Sequence, residues 1–199
     1  MPRVRAKDYD EKAKTIMDKA AALFSEVGYA NAKLQAVATA CGATKSMLYH
    51  YFSSKDDLLS AMLTEHLDQL LSDIEDVGSS DLEPEEKFRK FIVLYVQKSN
   101  ASRQRHVSAM NDVKYLPEEK REPLIQLERD VIEATAQILA SLRPDLPRDE
   151  VKTRSLLLLG MLNWTDLWYD QAWSSARRLS PDMLCDRIGR LFLDGYLNV

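Results

Sequence analysis

The stretch ACGATKSMLYHYFSSKDDL, Ala40 to Leu58, sets Tyr49, His50, Tyr51 and Phe52 in a row, with Lys45 before them and Lys55 after. Ammonium, phenol and imidazole groups in that company suit a polyanion with readable edges. A lysine reaches a guanine edge or a phosphate, a methionine touches a thymine methyl, and tyrosine or histidine bonds backbone phosphates. Here Lys45 and Met47 would meet bases, while Tyr49, His50 and Lys55 would meet phosphates. Lys55 is expected to sit at a helix N-terminus, where free amides and its own charge act together on an anion. The pattern does not offer catalysis. His50, His66 and His106 have no metal-ligand spacing, and the chain has no nucleophile elbow, phosphate loop or dinucleotide fingerprint. No enzyme, metal or cofactor is expected.

These side chains need a rigid carrier. Ile16, Ala20, Leu23, Phe24 and Val27 recur at helical spacing, which predicts a first helix over Tyr9 to Val27, with Gly28 ending it. A short second helix is expected over Leu34 to Cys41. Gly42 breaks the chain, and Thr44 caps a third helix through about Tyr51. Two short helices joined by a glycine turn and braced by a longer one form a helix-turn-helix, whose second member enters the major groove. Leu48 and Phe52, four apart, would anchor that member inward. Thr44, Lys45, Ser46, Met47, Tyr49, His50 and Tyr51 then remain on its start, outer face and edges. The competing reading is a packed aromatic helix end flanked by solvated lysines. The turn, the spacing and the charge of the segment weigh against it.

That charge is uneven. Residues 1–55 hold nine Lys/Arg and five Asp/Glu, a net of +4, which leaves −8 for the remainder of a chain whose formal charge is −4. A basic head on an acidic body fits one end meeting nucleic acid. Helical periodicity runs nearly throughout the 199 residues with few glycines and prolines, so the class is all-α. The longest apolar run, Leu156 to Leu162, is far short of the roughly 20 residues of a membrane span. No secretory signal is evident, and Cys41 and Cys185 form no framework, so a cytoplasmic protein is expected. Ser54 would cap a long helix carrying Leu58 to Ile74, and VGSSDLEPEE, Val77 to Glu86, is the clearest break after it. The expected organisation is a DNA-binding head over 1–55, a linking helix over 56–77 and a helical body over 78–199. Within the body, helices are expected over 85–100, 104–115, 117–142, 149–173 and 181–197.

Gly28 to Leu59 resembles the DNA-binding domain of the TetR family of bacterial repressors. Gly28-Tyr29, Val37-Ala38, Gly42, Leu48-Tyr49, Phe52 and Lys55 carry the resemblance. Ala32 and Lys33 stand where that family usually has threonines, and the resemblance passes the usual phosphate contact there to Lys33. In the body, Gly160-Met161-Leu162-Asn163-Trp164-Thr165 is similar to a TetR subgroup that answers to acyl-CoA thioesters, and Arg105 to Asp130 fits the same pattern. The resemblance implies a ligand-responsive repressor released by an effector such as phenylacetyl-CoA or a fatty acyl-CoA.

An acyl-CoA needs an apolar tunnel and cations for its phosphates. Met110, Tyr115, Met161, Trp164 and Trp168 are the candidates for the first, and Arg103, Arg105, His106, Arg177 and Arg178 for the second. Asn163 adds a polar group to a tryptophan-rich helix. One head reads too short a sequence for a specific address, so a homodimer on a palindrome is expected. The last two helices, with Leu184, Ile188, Leu191, Phe192 and Tyr196, would form a four-helix seam. The alternatives are a helical adaptor that docks protein on the Trp164/Trp168 face and an acyl-CoA-processing enzyme.

Overall fold

The computed structural model describes residues 2–168 and 180–197; for 2–7, 99–101, 164–168 and 196–197 the description stops at the backbone. The helices are α1 (Pro2–Val27), α2 (Leu34–Ala40), α3 (Lys45–Tyr51), α4 (Lys55–Ser79), α5 (Pro84–Ala101), α6 (Arg103–Asp112), α7 (Glu118–Leu142), α8 (Arg148–Trp168) and α9 (Pro181–Leu197), with a 3₁₀ turn at Val113–Tyr115. No strand occurs among the described residues, and no helix there is long and apolar enough to cross a membrane.

Local chemistry sets the ends of the short helices. Gly28 and Gly42 have φ of 79° and 63°, a region that side-chain-bearing residues rarely adopt. At Gly42 the amide donates to Thr39 O at 3.0 Å and the Ala43 amide donates to Ala38 O at 2.9 Å, the paired bonds that close an α-helix on a left-handed residue. Thr44 Oγ1 then accepts from the Met47 amide at 3.1 Å and starts α3. Ser54 Oγ does the same for α4, accepting from the Asp57 amide at 2.9 Å. Lys33 occupies the N-cap position of α2 and makes no side-chain cap bond.

The chain divides into two compact units, and neither is contiguous. The first comprises residues 1–66 with 104–125, and the second 67–103 with 126–199. The first therefore takes in a segment that the sequence reading assigns wholly to the body. Its core is built from Ile16, Ala20, Phe24, Val37, Leu48, Leu58, Leu59, Met62 and Leu63, joined by Ala109, Leu116 and Leu124. Val27, expected inward, is exposed at the end of α1.

In the second unit, Phe88, Phe91 and Ile92 of α5 form the centre of a cluster with Leu139, Leu158 and Ile188. Phe88 stacks on Phe192 with centroids 5.5 Å apart. The chain packs α5 against both α8 and α9, and a side chain at Gly189 would meet Ile92 Cδ1 at 3.7 Å. This corrects the expected seam: Leu184 and Ile188 are core residues within one chain, and only Leu191, 70% exposed, faces outward freely. Tyr196 lies outside the described side chains. Gly78 does not end α4, which continues through Ser79; Lys87 Nζ bonds Gly78 O at 2.9 Å.

Candidate nucleic-acid interface and effector residues

Helix α3 is anchored through one side. Leu48 is 0% exposed and Phe52, at its C-cap, is also buried, whereas Thr44, Lys45, Ser46, Met47, Tyr49 and His50 are exposed. At about 100° per residue, Ser46 and His50 stand opposite Leu48, with Met47 and Tyr49 flanking them. Lys45 Nζ lies 5.5 Å from the centroid of the Tyr49 ring, which keeps a cation and a phenol together on one edge. On the other edge the half-buried Tyr51 stacks on Tyr9 of α1, with centroids 4.5 Å apart. The structure thus brings seven of the nine expected DNA-facing residues onto one short element: Thr44, Lys45, Ser46, Met47, Tyr49, His50 and Tyr51. Lys33 is exposed at the start of α2.

Lys55 departs from expectation. Its ammonium donates to the carbonyls of Tyr29 (2.8 Å), Ala32 (3.1 Å) and Ala30 (3.4 Å) and lies 4.3 Å from the Tyr29 ring centroid. These carbonyls belong to the α1–α2 turn, where helix ends leave acceptors unsatisfied. The three ammonium donors are therefore engaged within the head, and Lys55 holds the turn that carries α2 instead of standing ready for a phosphate. Lys55→Met is expected to cost about 1.5 to 3 kcal/mol of stability, the range for hydrogen bonds to a charged group. Urea unfolding reads that loss. The salt dependence of DNA binding should stay as in the parent chain, whereas a lost phosphate contact would flatten it.

Further charges tie residues 104–125 into the head. The Arg105 guanidinium, 8% exposed, pairs with Asp18 of α1 at 2.8 Å and with Glu65 of α4 at 3.2 Å. Buried His106 meets buried His66, Nδ1 to Nε2 at 3.2 Å. Arg105 and His106 are thus interior groups of the first unit and not the expected cations for CoA phosphates. Met110 and Tyr115 belong to the same unit, and both are exposed instead of lining a tunnel. Tyr115 lies against Tyr29 with centroids 5.8 Å apart. The Tyr29 hydroxyl donates to Asp56, and burial followed by that bond drives its pKa upward. Burial likewise raises the Asp112 carboxyl, against the pull of a 2.5 Å bond from Ser108.

Lys120 of α7 and Ser53 both donate to Asp57, and hydrogen bonding, led by Lys120, holds that carboxyl down at about 2. A depressed carboxyl stabilises the fold above its unfolded value of about 3.9, and that contribution is lost as pH falls through the folded value. Asp57→Asn should therefore remove part of the acid sensitivity between about pH 4 and pH 2, seen as a flatter dependence of the melting temperature on pH.

In the second unit the Tyr95 hydroxyl, on a buried ring, donates to Asn163 Oδ1 at 2.6 Å. Met161 is half-buried and lines a cleft of about 350 Å³ with Thr153, Leu157, Leu191 and Phe192. Arg103 is exposed. Trp164 and Trp168 continue α8, their side chains outside the description; Arg177 and Arg178 lie outside the described residues. No group of three His, Cys, Asp or Glu that could hold a metal occurs among the described residues.

Comparison with known proteins places both halves of the chain. Residues 16–62 match the model of the bacterial regulatory proteins of the tetR family, and residues 81–196 match a tetracyclin repressor-like C-terminal domain. The chain belongs to the TetR family. A TetR-family transcriptional regulator from Bordetella parapertussis 12822 is 39% identical, with a TM-score of 0.84 over 94% of this chain and 96% of that one. The HTH-type regulator YuxN of Bacillus subtilis is 35% identical over 86 residues, 43% of this chain and only 30% of YuxN. The fold is also that of AibR, solved with isovaleryl coenzyme A and operator DNA: 20% identity and a TM-score of 0.77 over 90% and 97% of the two chains.

Sequence reasoning missed Tyr9, Asp18, Glu65 and Lys120. Tyr9 carried a signal, as an aromatic followed by charged residues on a helix face. The Arg105–Asp18 and Lys120–Asp57 ion pairs carried none, because the partners lie 87 and 63 residues apart.

Proposed function

We propose that this TetR-family chain is a transcriptional repressor that binds a palindromic operator as a homodimer and is released by a small-molecule effector. The observation that carries the DNA-binding part is the division of α3, with Leu48 sealed in the core and Lys45, Ser46, Met47, Tyr49 and His50 exposed together. An element of that width fits a major groove of about 12 Å. Lys45 and Met47 would read base edges, Tyr49, His50 and Tyr51 would reach phosphates, and Thr44 and Lys33 would flank them.

Two heads are needed for a full address, and an outward apolar strip supports the pairing. Leu157 of α8 and Leu191 of α9 are exposed and line the same cleft as Met161, and Leu156 and Met183 are exposed on the same two helices. A two-fold axis through such a strip makes a self-complementary seam of four helices. Iterative enrichment of a random duplex library on the full chain, read for two-fold symmetry, tests DNA binding and pairing together. A chain that enriches no sequence would refute the reading.

The effector we infer is an acyl-CoA thioester. The Gly160 to Thr165 pattern and the fold shared with AibR, a protein solved with isovaleryl coenzyme A, support it. Met161, Asn163, Trp164 and Trp168 are the residues proposed for the acyl end, and Arg103, Arg177 and Arg178 for phosphates. Titrating isovaleryl-CoA and phenylacetyl-CoA onto the enriched duplex complex should weaken it some 5- to 150-fold, the range of ordinary allosteric coupling. Calorimetric binding of either thioester without any change in DNA affinity would exclude it as the effector.

A further inference from the structure

The exposed face of α3 does not end at its own residues. Tyr9 of α1 stacks on Tyr51 (4.5 Å, 26° between planes) and meets His50 edge-on at 6.1 Å, while His50 and Tyr51 are themselves edge-on at 5.6 Å. His50 stands opposite the buried Leu48. Tyr9 thus reaches from the Tyr51 edge of α3 toward its outer face. Tyr9 keeps 40% of its surface exposed in this arrangement. Lys12 follows three residues on, which puts it on the same face of α1 as Tyr9.

Lys12 now pairs with Asp8 at 3.1 Å, with both side chains about half exposed. An exposed pair one helical turn apart holds its lysine weakly. A phosphate also offers the ammonium a stronger acceptor than a solvated carboxylate, because binding releases counterions from the duplex. With α3 in a groove about 12 Å wide, one strand would border its Tyr51 edge, the edge on which Tyr9 of α1 stacks.

We propose that Tyr9 and Lys12 of α1 belong to the DNA interface: Lys12 leaves Asp8 for a phosphate of the flanking strand, and Tyr9 positions the His50–Tyr51 end of α3 against that strand. The inference rests on α3 being the DNA-reading helix. It assigns Asp8 a restraining role, since its carboxylate competes with the phosphate.

Fluorescence anisotropy with a duplex enriched by the full chain, between 50 and 200 mM KCl, tests it. Lys12→Gln should reduce the slope of log affinity against log salt by about 0.9 for each head, so that its deficit relative to the parent shrinks about 3.5-fold per head over that range. Asp8→Asn should bind more tightly than the parent. Tyr9→Phe should behave as the parent, and Tyr9→Ala should reproduce the Lys12→Gln loss, with little added in the double variant if the two act as a unit. Unchanged slopes in Lys12→Gln together with unchanged affinity in Asp8→Asn would overturn the phosphate contact, and additive losses in the double variant would overturn the positioning role. Thermal melting separates these results from simple destabilisation. A parent chain that enriches no duplex sinks the DNA reading itself, and this inference with it, so the two failures are told apart.

Discussion

Leu48→Ala is expected to weaken specific DNA binding by roughly 100-fold while the second compact unit stays folded. Leu48 is the one fully buried residue of α3, a helix of only seven residues. So short a helix does not persist in water by propensity, because nucleation is costly and few bonds repay it. What keeps α3 helical is the Thr44 cap, the packing of Leu48 and the docking of Phe52. Truncating a buried leucine to alanine costs about 2 to 5 kcal/mol, and the spread reflects how far the site can collapse. Around Leu48 collapse is constrained, since α2 packs on α1 and α3 on α2. A loss near 3 kcal/mol taken from the DNA-competent state corresponds to an affinity deficit of roughly 100-fold. Met47→Ala, at an exposed position, should alter melting little while changing base preference. Binding by Leu48→Ala within a few-fold of the parent would mean that α3 is not the reading element.

The second large effect is expected from Leu157→Glu combined with Leu191→Glu. Both leucines are mostly exposed, at 63% and 70%, so carboxylates there meet water in a single chain and leave its own fold intact, the melting temperature falling only by what dimerisation contributed. In a two-fold seam the same substitutions would bury four like charges against apolar partners, a cost that no seam of this size offsets. Sedimentation should then report a monomer at micromolar concentration. Operator affinity should fall by about 10² to 10⁴, since the second head would no longer bind as a tethered neighbour. A dimer that survives both substitutions would move the seam elsewhere.

Legibility differed between the two halves for a physical reason. In the head, the features that matter are local: a glycine at positive φ, a threonine three residues before the amide it caps, two anchors one turn apart. Each leaves a short-range mark in the sequence, and α2, α3 and the caps at Thr44 and Ser54 fall where those marks put them. The body is organised by choices of face among several amphipathic helices. Leu184 and Ile188 read as a seam and prove to be core, because a helix buried on one side and paired on the other shows one broad apolar stripe for both uses. Arg105 and His106 read as ligand cations because charge on a helix looks solvent-bound until its partners are known. Asp18, Glu65 and His66 supply them. Lys55 erred in the opposite sense: a lysine at a helix start suits an anion, yet the nearer acceptors were carbonyls of the chain's own turn.

The make-up of the first unit bears on how such regulators can be recombined. A chimaera that borrows this head by cutting after α4 would carry Asp18 and Glu65 without Arg105, His66 without His106, and Asp57 without Lys120. The graftable cassette is two pieces, residues 1–66 and 104–125, and any host must accept both. This head is therefore carried over intact only together with α6 and the first turns of α7.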